Sequence, residues 1–219
     1  MSKEQMGPLG SPEVSVKLFV EDSEVVSTKE LIPVFHRWIK NRHIEDELLI
    51  DDTSYAHVPK GPGGRLICDK AQFYFDEREG RSGLRYRGRR ASDVTGVERI
   101  KKAFRSALHA ASLLENDPEL DGRYRFHTSE FEFGIYDRLR APSDNRTLAA
   151  VEPMLRDYVE SLFGEIAEIK LTSAPKEPFM VTVRMAGSPS VDELLGRVAA
   201  RDYQKGVAST RRTFPEVLQ

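Results

Sequence analysis

Apolar and polar residues alternate over 14–21: Val16, Leu18 and Val20 fall on one side, Ser15, Lys17 and Phe19 on the other. A period of two predicts a strand. The period then lengthens. Leu31, Val34, Phe35, Trp38 and Ile39 recur three and four apart, which is the apolar stripe of a helix. Ser27 and Glu30 have capping-box spacing ahead of it. Pro33 predicts a start near Leu31 or a distorted first turn.

Short strands are expected at ELLIDD (47–52), RLICD (65–69), QFYFDE (72–77) and GLRYRG (83–88), with VPKGPGG (58–64) as a turn or loop. A long helix is expected over about 95–115, where Val97, Ile100, Phe104, Leu108, Ala111 and Leu114 share one side and Thr95 and Glu98 repeat the capping spacing. Two further strands are read at RYRFHT (123–128) and EFEFGIYD (130–137). The next helix, roughly 144–163, carries Leu148, Val151, Leu155, Tyr158, Val159 and Leu162, with Pro153 expected to kink or split it. AEIKLT (167–172) and FMVTVRM (179–185) read as strands. Ser190 and Glu193 open a last helix.

These elements predict an α+β fold: a mostly antiparallel sheet with helices packed on one face. Trp38, Phe73, Phe75, Phe104, Phe131 and Phe133 are the expected aromatic core. GRLICDKAQFYFD (64–76) and GRYRFHTSEFEFG (122–134) share Gly, Arg and two Phe at an offset of 58 residues, which suggests a β-β-α pseudo-repeat. Residues 14–199 are read as a single domain, 1–13 as a flexible or vector-derived leader and 200–219 as a C-terminal tail.

Composition narrows the function classes. The 219 residues are 39% hydrophobic and 31% charged, with a net charge of -2. A protein that coats nucleic acid is more often basic. The one cysteine, Cys68, rules out an intrachain disulfide and fits a reducing, cytoplasmic setting. It is in phase with Leu66, towards the core. No apolar run approaches the ~20 residues that cross a bilayer, so no membrane partner is expected.

The densest charge signal is GRSGLRYRGRR (80–90), five arginines in eleven residues with Arg78 upstream. Leu84, Tyr86 and Gly88 alternate with Arg85, Arg87 and Arg89, which places the three guanidinium groups on one strand face. Such groups fit phosphate oxygens in pairs. They equally suit the wet face of a sheet whose other face carries helices. Arg78, Arg81, Arg85, Arg87, Arg89 and Arg90 are the expected binding residues.

Reaction chemistry is less defined. Asp51, Asp52, Tyr55, His57 and Lys60 cluster in one loop, and Asp69 and Asp76 could join them around a divalent ion. The spacing is not diagnostic of a metal site. His36, His109 and His127 have no catalytic partner at a recognisable spacing, and Ser129 has no nucleophile-elbow sequence around it. No cofactor motif is present.

The sequence therefore favours a non-catalytic macromolecular binding or assembly protein. Its expected partner is a protein or a second copy of itself. A metal-dependent nuclease or phosphohydrolase, and a nucleic-acid-binding module built on Arg78–Arg90, are the alternatives.

Overall fold

The computed structural model describes residues 7–11, 13–22, 28–44, 49–54, 64–77, 80–89 and 96–201. The alternation at the start of the chain forms β1 (Val14–Val20). Seven further strands follow: β2 (Leu49–Ser54), β3 (Gly64–Cys68), β4 (Ala71–Asp76), β5 (Gly83–Gly88), β6 (Phe126–Ile135), β7 (Ile166–Leu171) and β8 (Phe179–Met185). The helices are α1 (Thr28–Asn41), α2 (Val97–Glu115), α3 (Asn145–Phe163) and α4 (191–201).

All eight strands join one sheet in the order β2-β3-β4-β5-β1-β6-β8-β7. Every neighbouring pair is antiparallel. β1 sits near the middle, with Val16 opposite Tyr86 of β5 and Phe133 of β6. One parity of the strands therefore builds the core: Val16, Leu18, Leu66, Cys68, Phe73, Phe75, Leu84, Phe131, Phe133 and Val183 are all buried with the helix stripes. The six expected core aromatics are each at most 2% exposed. Phe104 of α2 meets Phe131 and Phe163 edge-on, with centroids 5.1 and 5.7 Å away, an arrangement favoured by the ring quadrupoles.

Four local expectations change. RYRFHT and EFEFGIYD make one strand, not two. β6 starts at Phe126, and Tyr124 is fully buried in the connection before it, against Phe75. α2 is capped at Gly96 with no side-chain bond, and Thr95 lies outside the described residues. α3 runs through Pro153 unbroken, from an N-cap at Asp144 whose carboxylate accepts the Thr147 N–H. α1 begins before Pro33, which lies inside the helix as its sixth residue and so leaves the Lys29 carbonyl without its N–H partner. The capping box before α4 does form: Ser190 N–H donates to Glu193 Oε2 at 2.7 Å, and Glu193 N–H donates to Ser190 Oγ at 3.2 Å.

Strand-strand-helix units occur as β4-β5-α2 and β7-β8-α4. Each is preceded by a strand and a helix, and its second strand returns to pair with that first strand, β5 on β1 and β8 on β6. The two halves meet at the β1–β6 ladder, and β2-β3 is an addition to the first half. The similarity at offset 58 does not match equivalent parts. Residues 64–76 are a hairpin, and 122–134 are a loop and most of one strand.

Residues 7–11 pack against the rest of the fold. Pro8–Gly10 forms one helical turn, Ser11 is fully buried, and Arg99 of α2 donates to the Gly10 carbonyl. Among the described residues, no helix is long and apolar enough to cross a membrane. The tail beyond 201 lies outside the described residues.

Candidate functional site: the helix-free face of the sheet

The second strand parity makes the face that carries no helix among the described residues. β1 contributes Ser15, Lys17 and Phe19. β5 contributes Arg87, Arg85 and Gly83, which stand directly opposite them in that order. β4 brings Gln72, Tyr74 and Asp76 against Arg87, Arg85 and Gly83. β6 brings Glu132 beside Lys17. The expected alternation of Arg85 and Arg87 with Leu84 and Tyr86 holds: the leucine and tyrosine join the core, and the arginines lie on this other face.

Arg85 is only 2% exposed. Its Nε donates to Asp76 Oδ2 at 2.8 Å, one Nη lies 2.7 Å from the same oxygen, and that nitrogen also donates to Glu132. Its other Nη reaches Ser15 Oγ at 3.4 Å. Lys17, equally buried, donates to the Arg81 carbonyl at 2.7 Å and lies 3.7 Å from Asp76. Two buried cations thus converge on Asp76. Burial works against the Arg85 charge, but the fields of Tyr136, Glu132 and Asp76 outweigh it and hold its pKa above the ordinary arginine value. Tyr74 goes the same way for a different reason: burial, then its 3.3 Å contact with the Tyr136 hydroxyl, raises its phenol pKa and keeps it protonated. Neither group is prepared to act as a base.

Arg81 and Arg87 stack on rings and pair with carboxylates, and Arg65 stacks on a ring and donates to an amide. Arg81 sits 3.8 Å above the Phe19 ring and bonds Glu130. Arg87 sits 3.7 Å above Tyr136 and bonds Glu13. Arg65 of β3 lies 4.8 Å from the Tyr74 ring and donates to Gln72. Arg89 is exposed just past β5, and Arg78 and Arg90 lie outside the described residues. So the structure brings Arg81, Arg85 and Arg87 onto one face, but Arg85 is committed inside the fold.

The metal-site candidates do not gather among the described residues. His57, Tyr55 and Lys60 lie outside them. Asp51 and Asp52 occupy successive register positions opposite Ile67 and Leu66. Asp69 is in the β3–β4 turn, and Asp76 is held by Arg85 and Lys17. No three His, Cys, Asp or Glu side chains among the described residues could hold one ion. His36 is exposed on α1, while His109 and His127 are half-buried. Cys68 is fully buried in the core, as its phase with Leu66 implies.

Nothing in the linear spacing marks Asp76, Glu132, Glu13 and Tyr136 as partners of the arginines. Their signal was present only as strand parity, because Lys17, Arg85 and Glu132 become neighbours only once β5, β1 and β6 are aligned. Compared with known proteins, the chain matches no family model, no curated protein and no solved structure.

Proposed function

We propose that this chain is a non-catalytic binding or assembly protein that meets another protein through the exposed rim of this sheet face, whose own Ser15, Lys17 and Arg85 are buried. The observation that carries this reading is the pairing of the arginine patch with carboxylates and rings. A polyanion is held by cations that neutralise its phosphates. Here Glu13, Asp76, Glu130 and Glu132 already offset Arg81, Arg85, Arg87 and Lys17. Arginine beside aromatic rings, with charge balanced at the rim, is the composition of protein-contact surfaces. The accessible rim is formed by Arg81, Arg184 and Glu168, whose side chains are 47, 59 and 50% exposed. A cytoplasmic location fits this reading, since Cys68 is the one cysteine and is buried.

The test places a photo-crosslinking residue at position 184, with position 36 on α1 as the control, in native lysate. A discrete protein adduct that forms from 184, not from 36, and disappears in Arg81→Ala supports the proposal. Fluorescence anisotropy with labelled DNA and RNA runs in parallel. Steeply salt-dependent nucleic-acid binding that Arg81→Ala and Arg87→Ala weaken would replace it with the nucleic-acid reading. Chelator-sensitive cleavage of those probes would replace it with the nuclease reading.

A further inference from the structure

β1 runs about 23 Å from one end of the sheet to the other, and the two ends carry opposite charge. At its start the Tyr136 N–H donates to the Glu13 carbonyl, and the chain continues into Asp137-Arg138-Leu139-Arg140. Leu139 is 97% exposed, the one large hydrophobic side chain so exposed among the described residues. A single exposed leucine is ordinary. This one sits on a turn that is fastened from three sides. Asp137 Oδ1 accepts the N–H groups of Leu139 and Arg140, both at 3.2 Å. Arg138 donates to the Lys176 carbonyl at 2.7 Å, and Arg140 donates to the Gly10 carbonyl at 3.2 Å. The turn is also tied to the β7–β8 connection by the Pro142–Pro178 bridge. A turn whose backbone is held this way loses little backbone freedom on docking, which favours binding.

Around Leu139 the cations outnumber the acids by a small margin, with Asp137 3.7 Å from Arg140 Nε. Asp144 caps α3, and Glu177 accepts the Ala174 N–H at 2.9 Å. Arg138, Arg140, Arg146 and Lys176 stand exposed.

At the far end of β1 the Glu21 N–H donates to the Arg125 carbonyl. Here Glu21, Asp22, Glu119, Asp121, Asp192 and Glu193 are exposed. Arg37 and Arg123 answer Asp117, Glu119 and Glu30. Glu115 lies close enough to Asp192 and Glu21 to feel both charges. The acids remain in excess.

We infer that this chain associates head to tail with copies of itself, the basic end bearing Leu139 docking on the acidic end of the next copy. The proposal deepens the protein-contact reading and rests on it only for the class of partner, since it uses the ends of the sheet and not its helix-free face. The two sides of such a contact differ, so association continues into a ring or a filament and does not stop at a closed dimer. Opposite charge steers the encounter and weakens with salt, while Leu139 supplies the apolar anchor.

The test compares the wild type with L139D/R146E, which alters the basic end, and E21K/E119K, which alters the acidic end. All are followed by sedimentation velocity at low and physiological salt. Thermal melts check folding, and L139S or E21Q/E119Q replaces any pair that melts early. The wild type is expected to grow beyond a dimer with concentration and to shrink as salt rises. Each variant alone is expected to stay monomeric. An equimolar mixture of the two retains one intact end of each kind, so it is expected to form a 1:1 complex and grow no further. A wild type that stays monomeric at every concentration overturns the proposal, as does a closed dimer indifferent to the variants or a mixture that remains monomeric. A monomeric wild type says nothing about Arg184, where the crosslinking experiment still judges heteromeric contact separately.

Discussion

Asp76→Ala should be among the more damaging single changes in this protein, although it removes only a small side chain. Asp76 is 5% exposed and lies between Arg85 and Lys17, at 2% and 1%. Without it, Arg85 keeps Glu132 and Lys17 keeps the Arg81 carbonyl, but two buried cations lose their shared counter-charge. Breaking a buried pair from one side costs about 3–5 kcal/mol. A typical domain has about 5–15 kcal/mol in total. With a urea slope of about 2–3 kcal/mol/M, the midpoint should fall by about 1–2.5 M. Equilibrium urea unfolding followed by Trp38 fluorescence measures it. Asp76→Ala/Arg85→Met should lose clearly less than the two single changes added together, because removing both partners leaves fewer uncompensated charges. A shift in Asp76→Ala worth less than about 0.5 kcal/mol, or strictly additive double-mutant behaviour, would refute the idea that this network is energetically coupled.

Two further outcomes are expected. Phe131→Ala should cost about 3–5 kcal/mol in the same assay, because the ring is fully buried against Phe104 and Phe163; an unchanged midpoint would contradict the packing of β6 under α2 and α3. Burial raises the Glu115 carboxyl above its ordinary value of 4.5, opposed by the Phe126 N–H and Arg125 and aided by Asp192 and Glu21. Between the unfolded and folded values the folded state holds the extra proton, so stability from this group falls as pH rises above about 4.5; Glu115→Gln should flatten that part of the stability–pH curve, and an identical slope in both proteins would count against the assignment.

The sequence alone determined the elements and their faces. Period-two alternation found β1, β3, β4, β5 and β8, and period 3.6 found the helices, since side-chain direction follows from local backbone geometry. It also placed Arg85 and Arg87 opposite Leu84 and Tyr86, and Cys68 with Leu66 in the core. Local rules failed where tertiary contacts outweighed them. Pro153 stays within α3, whose Val151, Leu155, Tyr158 and Leu162 are buried against the core. Tyr124 is buried without belonging to a strand. Strand order and register were beyond the sequence, because pairing joins residues far apart in the chain: Ser15 with Arg87, and Lys17 with Glu132. Only that register decided that Arg85 would meet Asp76 and Glu132 within the fold, and that the acidic and basic segments would gather at opposite ends of β1. Charge along a chain is local information, whereas the field it creates depends on which strands the fold sets side by side.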